Sequence, residues 1–276
     1  MEVFRDYTIE KALQHTYLMD IILAFTSLHS ASKASVTSSR HEHVAAALHY
    51  QNQSIAEFNK TQSLIKISKE NVDPVCLMTA LHAITALVAS LTPATPGEQL
   101  GPIAGIIMRV RRYALCMINM INEHRVWVEN GELKRILDSP NALRIEEGSS
   151  FSANKMRELT DAILVNMDLD DSATPFFRST LEKLEKSYTD NNGRSVFSWL
   201  VMVDPVFFQK ANLGETAALV ILGCWGTLVS ILEDTWWSKY AGRRIMEEIS
   251  SQLDGCDSRW DEIVQWCYEQ AKTHKL

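Results

Sequence analysis

The sequence predicts an all-α protein, a single large helical domain of roughly ten to twelve helices around a buried apolar core or cavity. Three observations predict it. Apolar residues recur at three- and four-residue steps along most of the chain, the spacing of helix faces. No run of alternating apolar and polar residues is long enough to build a sheet. Between Ala217 and Leu232 almost every residue is apolar or small, as in a helix buried nearly all round. With 276 residues, 46% of them hydrophobic, the chain can bury a core that needs no disulfide or metal staples, as one large or two closely packed helical domains.

In chain order, a first helix is expected from about Glu10 to Ser32, with Leu13, Tyr17, Ile21, Ala24 and Leu28 on its packing face. The small polar segment SASKASVTSSR connects it to a second, from Arg40 to Ile67, which Ser39 can cap and which presents Val44, Leu48, Ile55, Phe58 and Leu64. A third runs from Pro74 to Ser90. LTPATPGEQLGP, with three prolines and two glycines, must be a loop. It divides a three-helix front part (1–92) from the remaining helices (103–276), with residues 93–102 as the Pro/Gly loop. A long helix from Ile103 to Trp127 carries Ile106, Val110, Tyr113, Met117 and Met120. Asn130–Ser152, with mixed charge, two glycines and a proline, predicts short turns. Helices resume at Asn154–Asn166 and Pro175–Tyr188, are interrupted at TDNNG, and continue through Ser195–Lys210 to the buried helix at 215–234. Trp236, Trp237 and the basic turn at Arg243 and Arg244 follow it.

Several function classes are excluded by what is missing. The net charge of −7 and isoelectric point near 5.6 argue against direct nucleic-acid binding, which needs a basic surface; short basic pieces such as Arg109, Arg111 and Arg112 read as solvated helix faces. The apolar run of the buried helix is interrupted by Gly223, Gly226, Thr227 and Ser230, is closed by Glu233 and Asp234, and falls short of the ~20 residues of a bilayer span. No membrane span is expected. Cys76, Cys116, Cys224, Cys256 and Cys267 are odd in number and widely spaced, and read as reduced residues of an intracellular protein, cytoplasmic or nuclear. The N-terminal MEVFRDYTIEK has no apolar signal core.

No phosphate-cradling GxxxxGK[ST], no GxGxxG and no GxSxG nucleophile elbow occurs. His41-Glu42-His43 lacks the second histidine one turn on that a helical zinc site needs, and YTDNNG matches a calcium loop only in its middle. Asp168-Leu169-Asp170-Asp171 has the DxDD form of class II terpene cyclases, where an aspartic acid protonates an alkene. The same segment reads as a helix end and N-cap before Pro175. No metal and no cofactor is expected. The candidates for lining a pocket are the polar tips and flat rings set among apolar residues: His15, Tyr17, His49, Tyr50, His82, Trp199, Trp225, Trp236 and Trp237. For each, the plain alternative is a satisfied core position.

Two blocks resemble one family. HTYLMDIILAFTSLHSAS followed by AALHYQNQSIAEFNK is similar to its "HP-x-LL-x-AILALSALHLA" and "A-x-x-HY-x-x-AL-x-x-F" helices, matching at His15, Leu18, Leu23, Ala24, Leu28, His29, His49, Tyr50 and Phe58. ETAALVILGCWGTLVSILEDTWWSKYAGRRIMEEI and RWDEIVQW are similar to its late "ALVILAHWAVLL … WW-x-x-GWG" and "W-x-x-x-I-x-WP" helices. The family is the C-terminal regulatory, ligand-binding domain of fungal zinc binuclear cluster transcription factors, in the branch of the sterol uptake control protein. Here the DNA-binding cysteine cluster is lacking, Ala241-Gly242-Arg243 replaces the glycine-tryptophan-glycine step, and Cys267 follows Trp266 where proline is usual. The resemblance implies an all-helical fold with a deep apolar cavity for a sterol-sized molecule, without direct promoter binding.

Two functions are consistent with this. One is a stand-alone binding module for a small terpenoid, sterol or polyketide, tied to fungal secondary metabolism or its regulation, acting as a homodimer or paired with a related regulator. The other is a cofactor-independent cyclase or pericyclase of Diels-Alder type in the same pocket, where orientation supplies the rate and one donor polarises a carbonyl. A third reading is a purely structural domain whose core, with its ten methionines, is filled by its own side chains.

Overall fold

A computed structural model gives the structure of residues 2–64, 66–93, 98, 100–138, 144–145, 152–167, 174–190, 193–233 and 235–273. The protein is all-α. Among the described residues the only β pairing is an isolated antiparallel bridge between Ile145 and Leu232. The DxDD segment at 168–171, residues 94–97 and 99 of the Pro/Gly loop, Asn191-Asn192 of the TDNNG turn and Asp234 lie outside the described residues. The chain forms two compact units, unit 1 of Met1–Gln99 with Arg109–Ala142, and unit 2 of Leu100–Met108 with Leu143–Leu276.

Unit 1 holds α1 (Glu2–Gln14), α2 (Thr16–Lys33), α3 (Thr37–Leu64) and α4 (Val72–Leu91), the later part of α5 (Ile103–Glu123), and the short α6 (Arg125–Glu129) and α7 (Glu132–Leu137). The front three helices thus share a unit with most of α5. The expected helix at Glu10–Ser32 is broken at His15, whose extended backbone (φ −132°, ψ 100°) ends α1 and starts α2 without proline or glycine. α2 buries Leu18, Ile21, Ala24, Leu28 and Ala31 at heptad-like steps, chiefly against α3 and α4. α4 is apolar enough and long enough to cross a membrane, yet more than half of it is buried inside the protein as the core helix of unit 1.

A buried acidic node ties α1, α4 and α7. Asp73, in the first turn of α4, accepts a hydrogen bond from the Tyr7 hydroxyl (2.6 Å) and from the Leu133 backbone N–H (3.1 Å), both on Oδ2. Burial, and then the bond to Asp73, drives the Tyr7 hydroxyl far above its usual range.

Unit 2 holds the start of α5, α8 (Ala153–Asn166), α9 (Thr174–Thr189), α10 (Gly193–Met202), α11 (Pro205–Asn212), α12 (Thr216–Ser230), α13 (Trp236–Leu253), a 3-10 turn at Ser258–Trp260, and α14 (Asp261–Thr273). The helix expected through Ser195–Lys210 is two, because Asp204 caps the Val206 N–H (2.9 Å) and Pro205 opens a new first turn. Gly214, at φ +80°, then turns the chain so that α11 and α12 meet at 110°. Every residue of α12 from Ala217 to Ser230 is buried, as its composition predicts.

α12 reaches α13 through a seam of small residues. A Cβ on Gly242 would lie 2.5 Å from the Gly226 carbonyl oxygen and 2.6 Å from the Ser230 nitrogen, and one on Gly226 would lie 2.7 Å from Ile245. The two backbones therefore touch where neither glycine can carry a side chain. α14 packs over both helices.

Candidate functional site

Of the nine pocket candidates, His15, Tyr17, His49, Tyr50 and His82 lie in unit 1, and Trp199, Trp225, Trp236 and Trp237 in unit 2. Within unit 1, two of the five, Tyr17 and His82, meet at a residue the sequence did not single out, Ser54. Its hydroxyl, fully buried on α3, donates to the Tyr17 carbonyl on α2 at 2.6 Å and lies 3.0 Å from His82 Nε2 on α4. A serine has one hydroxyl proton and a carbonyl can only accept, so the short bond to Tyr17 fixes where that proton goes. His82 Nε2 must then be the donor to Ser54, and His82 Nδ1 is left as a bare acceptor.

Nothing donates to it. His82 is 3% exposed, and its Nδ1 has no hydrogen-bond partner. The imidazole stacks nearly parallel on Tyr113 (6.0 Å between centroids, 9°). Burial pushes its pKa down to about 4, so the ring is neutral. One turn further along α4, the fully buried Thr85 hydroxyl also lacks a partner. The contrast is direct, since Thr79 on the same helix and Thr92 at its C-cap turn their hydroxyls back to the carbonyls of Val75 and Val88 (2.8 Å each). The same helix also buries Met78, Leu87, Val88 and Leu91. The result is a vacant acceptor and an uncommitted hydroxyl in an apolar setting.

This arrangement is not a nucleophile. Ser54 commits its proton to a main-chain carbonyl and His82 faces it as a donor, the reverse of the polarity a general base needs. Tyr17 is itself buried; its hydroxyl meets His15 Nδ1 (3.2 Å), its ring packs edge-on against Phe58 (5.5 Å), and burial pushes its pKa up to about 12. His15 is half-buried, and desolvation, with Lys11 nearby, lowers its pKa. His49 is exposed and its ring meets that of the half-buried Tyr50 (5.7 Å). On the outer side of the same helices, Thr16, Asp20, Gln53, Ala56, Glu57 and Lys60 line a groove of about 550 Å³. That groove is open and carries charged side chains, among them a Lys60–Glu57 ion pair (2.6 Å), unlike the deep apolar cavity the resemblance implies.

In unit 2 two of the tryptophans pack against each other. Trp199 and Trp225 are fully buried and stack at 6.1 Å and 18°. Their indole N–H groups donate to the carbonyls of Thr180 (3.2 Å) and Val196 (2.8 Å). Phe207 and Phe208 pack edge-on against Trp199, and Phe197 bridges Trp225 and Trp237. Trp236 is half-buried. Among the described residues no three His, Cys, Asp or Glu side chains are grouped to hold a metal ion.

No protein-family model, curated protein or solved structure matches this chain. Sequence reasoning found His15, Tyr17 and His82 but missed Ser54 and Thr85, small hydroxyl residues whose roles depend on partners from other helices. In QNQSIAEF, Ser54 reads as one more polar position of a solvated face.

Proposed function

We propose that the protein is a binding module for a small, largely apolar molecule of terpenoid, sterol or polyketide type, held against α4 in unit 1 and oriented by a single hydroxyl group. The supporting observation is the pair of buried atoms without partners, His82 Nδ1 and Thr85 Oγ1, one turn apart in an apolar interior. Residues three apart on a helix have Cβ atoms roughly 5–6 Å from each other. One oxygen between such residues can donate to the histidine and accept from the threonine. Leaving a buried polar group unsatisfied costs about 1–3 kcal/mol, which a ligand hydroxyl at this place would recover. The resemblance to the regulatory domains of fungal zinc cluster regulators points to the same ligand class, and with it to an intracellular role in secondary metabolism or its control.

The test combines thermal unfolding with recovery of the bound compound. Farnesol, ergosterol and an apolar metabolite extract are each added to wild type, His82→Phe and Thr85→Val. Binding raises the melting temperature with ligand concentration by mass action. Each substitution is expected to weaken binding by about tenfold, the loss of one hydrogen bond of roughly 1.4 kcal/mol. The compound is recovered by mass spectrometry unchanged. No stabilisation across the panel and the extract contradicts the reading. A new isomer of equal mass, formed by live but not heat-killed protein, makes the protein a cofactor-independent cyclase instead.

A further inference from the structure

We propose that Cys224 and Cys267 are an oxidant-sensitive pair that forms an internal disulfide and locks α14 onto α12. This rests on unit 2 and is independent of the ligand reading. The two sulfurs lie 3.7 Å apart, in direct contact, and both residues are buried (0% and 1% exposed). A disulfide needs about 2.05 Å between sulfurs, so travel of about 0.8 Å by each, from small χ1 rotations, closes the bond. The Thr227 hydroxyl, 3.3 Å from the Cys267 carbonyl and 3.1 Å from that of Gly223, already holds the two helices in register at this height. The other cysteines are placed differently. Cys116 and Cys256 are exposed, and Cys76 is buried in unit 1.

The chemistry balances with a peroxide as oxidant. One thiol is oxidised to a sulfenic acid with release of water; the second thiol attacks that sulfur, the S–S bond forms, and the sulfenic oxygen leaves as a second water. Two thiols lose two hydrogens and hydrogen peroxide becomes two waters. In the closed protein the reaction is slow, because the thiols are buried and the contact with Cys267, together with burial, holds Cys224 protonated. Oxidation therefore proceeds through local opening of α14 away from α12. The bond then removes that opening, so the cross-link reports and ends exposure of this helix to oxidant.

The experiment uses the full chain carrying Cys116→Ser and Cys256→Ser, which removes the two exposed thiols, alongside wild type. After hydrogen peroxide, the intact mass should fall by about 2 Da, peptide mapping should join the segments holding Cys224 and Cys267, and dithiothreitol should reverse both. The melting temperature should rise by roughly 5–10 °C, as expected for closing a loop of this length. Subdenaturing urea should speed the reaction. Mapping wild type directly needs no buried substitution, so a folding defect in Cys224→Ser cannot obscure the result. A mass gain from sulfinic or sulfonic acid alone, a cross-link through Cys76, or no change at peroxide levels that oxidise Cys116 and Cys256 in wild type overturns the proposal.

Discussion

The interiors of unit 1 and unit 2 both contain polar side chains, and they close them in different ways. In unit 2, Trp199, Trp225, Thr227, Ser230 and Ser238 each donate to a main-chain carbonyl, the three hydroxyls to a carbonyl three or four residues back and the two indoles to a neighbouring helix. Thr160 is the exception among the described residues. In unit 1, Ser54 is satisfied twice over, yet His82, Thr85 and Asp73 each keep an atom without a partner. Buried polar groups in folded proteins are nearly always paired, so such a concentration on one helix, α4, calls for an explanation. Unit 2 thus closes its interior polar groups but for Thr160, whereas unit 1 keeps unmet hydrogen-bonding capacity on α4, on which the proposed ligand seat rests.

The largest effect should come from breaking the scaffold. Gly242→Ala places a methyl group within 2.6 Å of two backbone atoms of α12, which no side-chain rotation relieves, so the helices must part. A loss of roughly 4 kcal/mol or more is expected in denaturant unfolding, whereas Gly101→Ala, which meets nothing within 4 Å, should change stability by no more than about 0.5 kcal/mol.

The next effect belongs to His82 and appears as a pH dependence. Unfolded imidazole takes up a proton near 6.5, while burial delays this in the folded state to about 4. The unfolded state therefore binds the proton first as pH falls, stability declines between 6.5 and 4, and the decline ends below about 4. The shift corresponds to about 3 kcal/mol. His82→Phe should flatten most of that slope in urea titrations across the window. His15 and His29, whose pKa values burial and a neighbouring lysine also lower, should keep the remainder.

The smallest effect has the sharpest sign. Thr85→Val replaces an unsatisfied hydroxyl by a methyl of the same shape and should be neutral or stabilising by up to about 1 kcal/mol. Thr227→Val, the same change in unit 2, removes a hydroxyl that reaches two carbonyls and should cost about 1 kcal/mol. Equal costs at the two positions would erase the distinction between the units.

Much of the fold is legible in the sequence because it depends on local periodicity. The burial of α12 follows from composition alone, and that of Tyr17, Ile21, Ala24 and Leu28 on α2 follows from spacing, whereas Leu13, Leu48 and Ile55, expected on packing faces, are exposed. The break at His15 is not legible, since no proline or glycine marks it. The break at Asp204-Pro205 carried a readable signal, an N-cap followed by proline at the first helical position. The site is less legible than the fold. His82 stands out as a histidine among apolar residues, but Ser54 acquires its role only from Tyr17 and His82, 37 and 28 residues away. The tryptophans misdirect in the opposite sense. Their size suggests a cavity wall, while their satisfied N–H groups and mutual stacking in unit 2 make Trp199 and Trp225 a packed core.

The most direct test of the division between the units is hydrogen exchange on the full chain with and without saturating farnesol. The account predicts added protection in α4 and in the part of α3 around Ser54, with α12 unchanged. Protection confined to α12 and α13, or a rise in melting temperature with no change in α3 and α4, would contradict it.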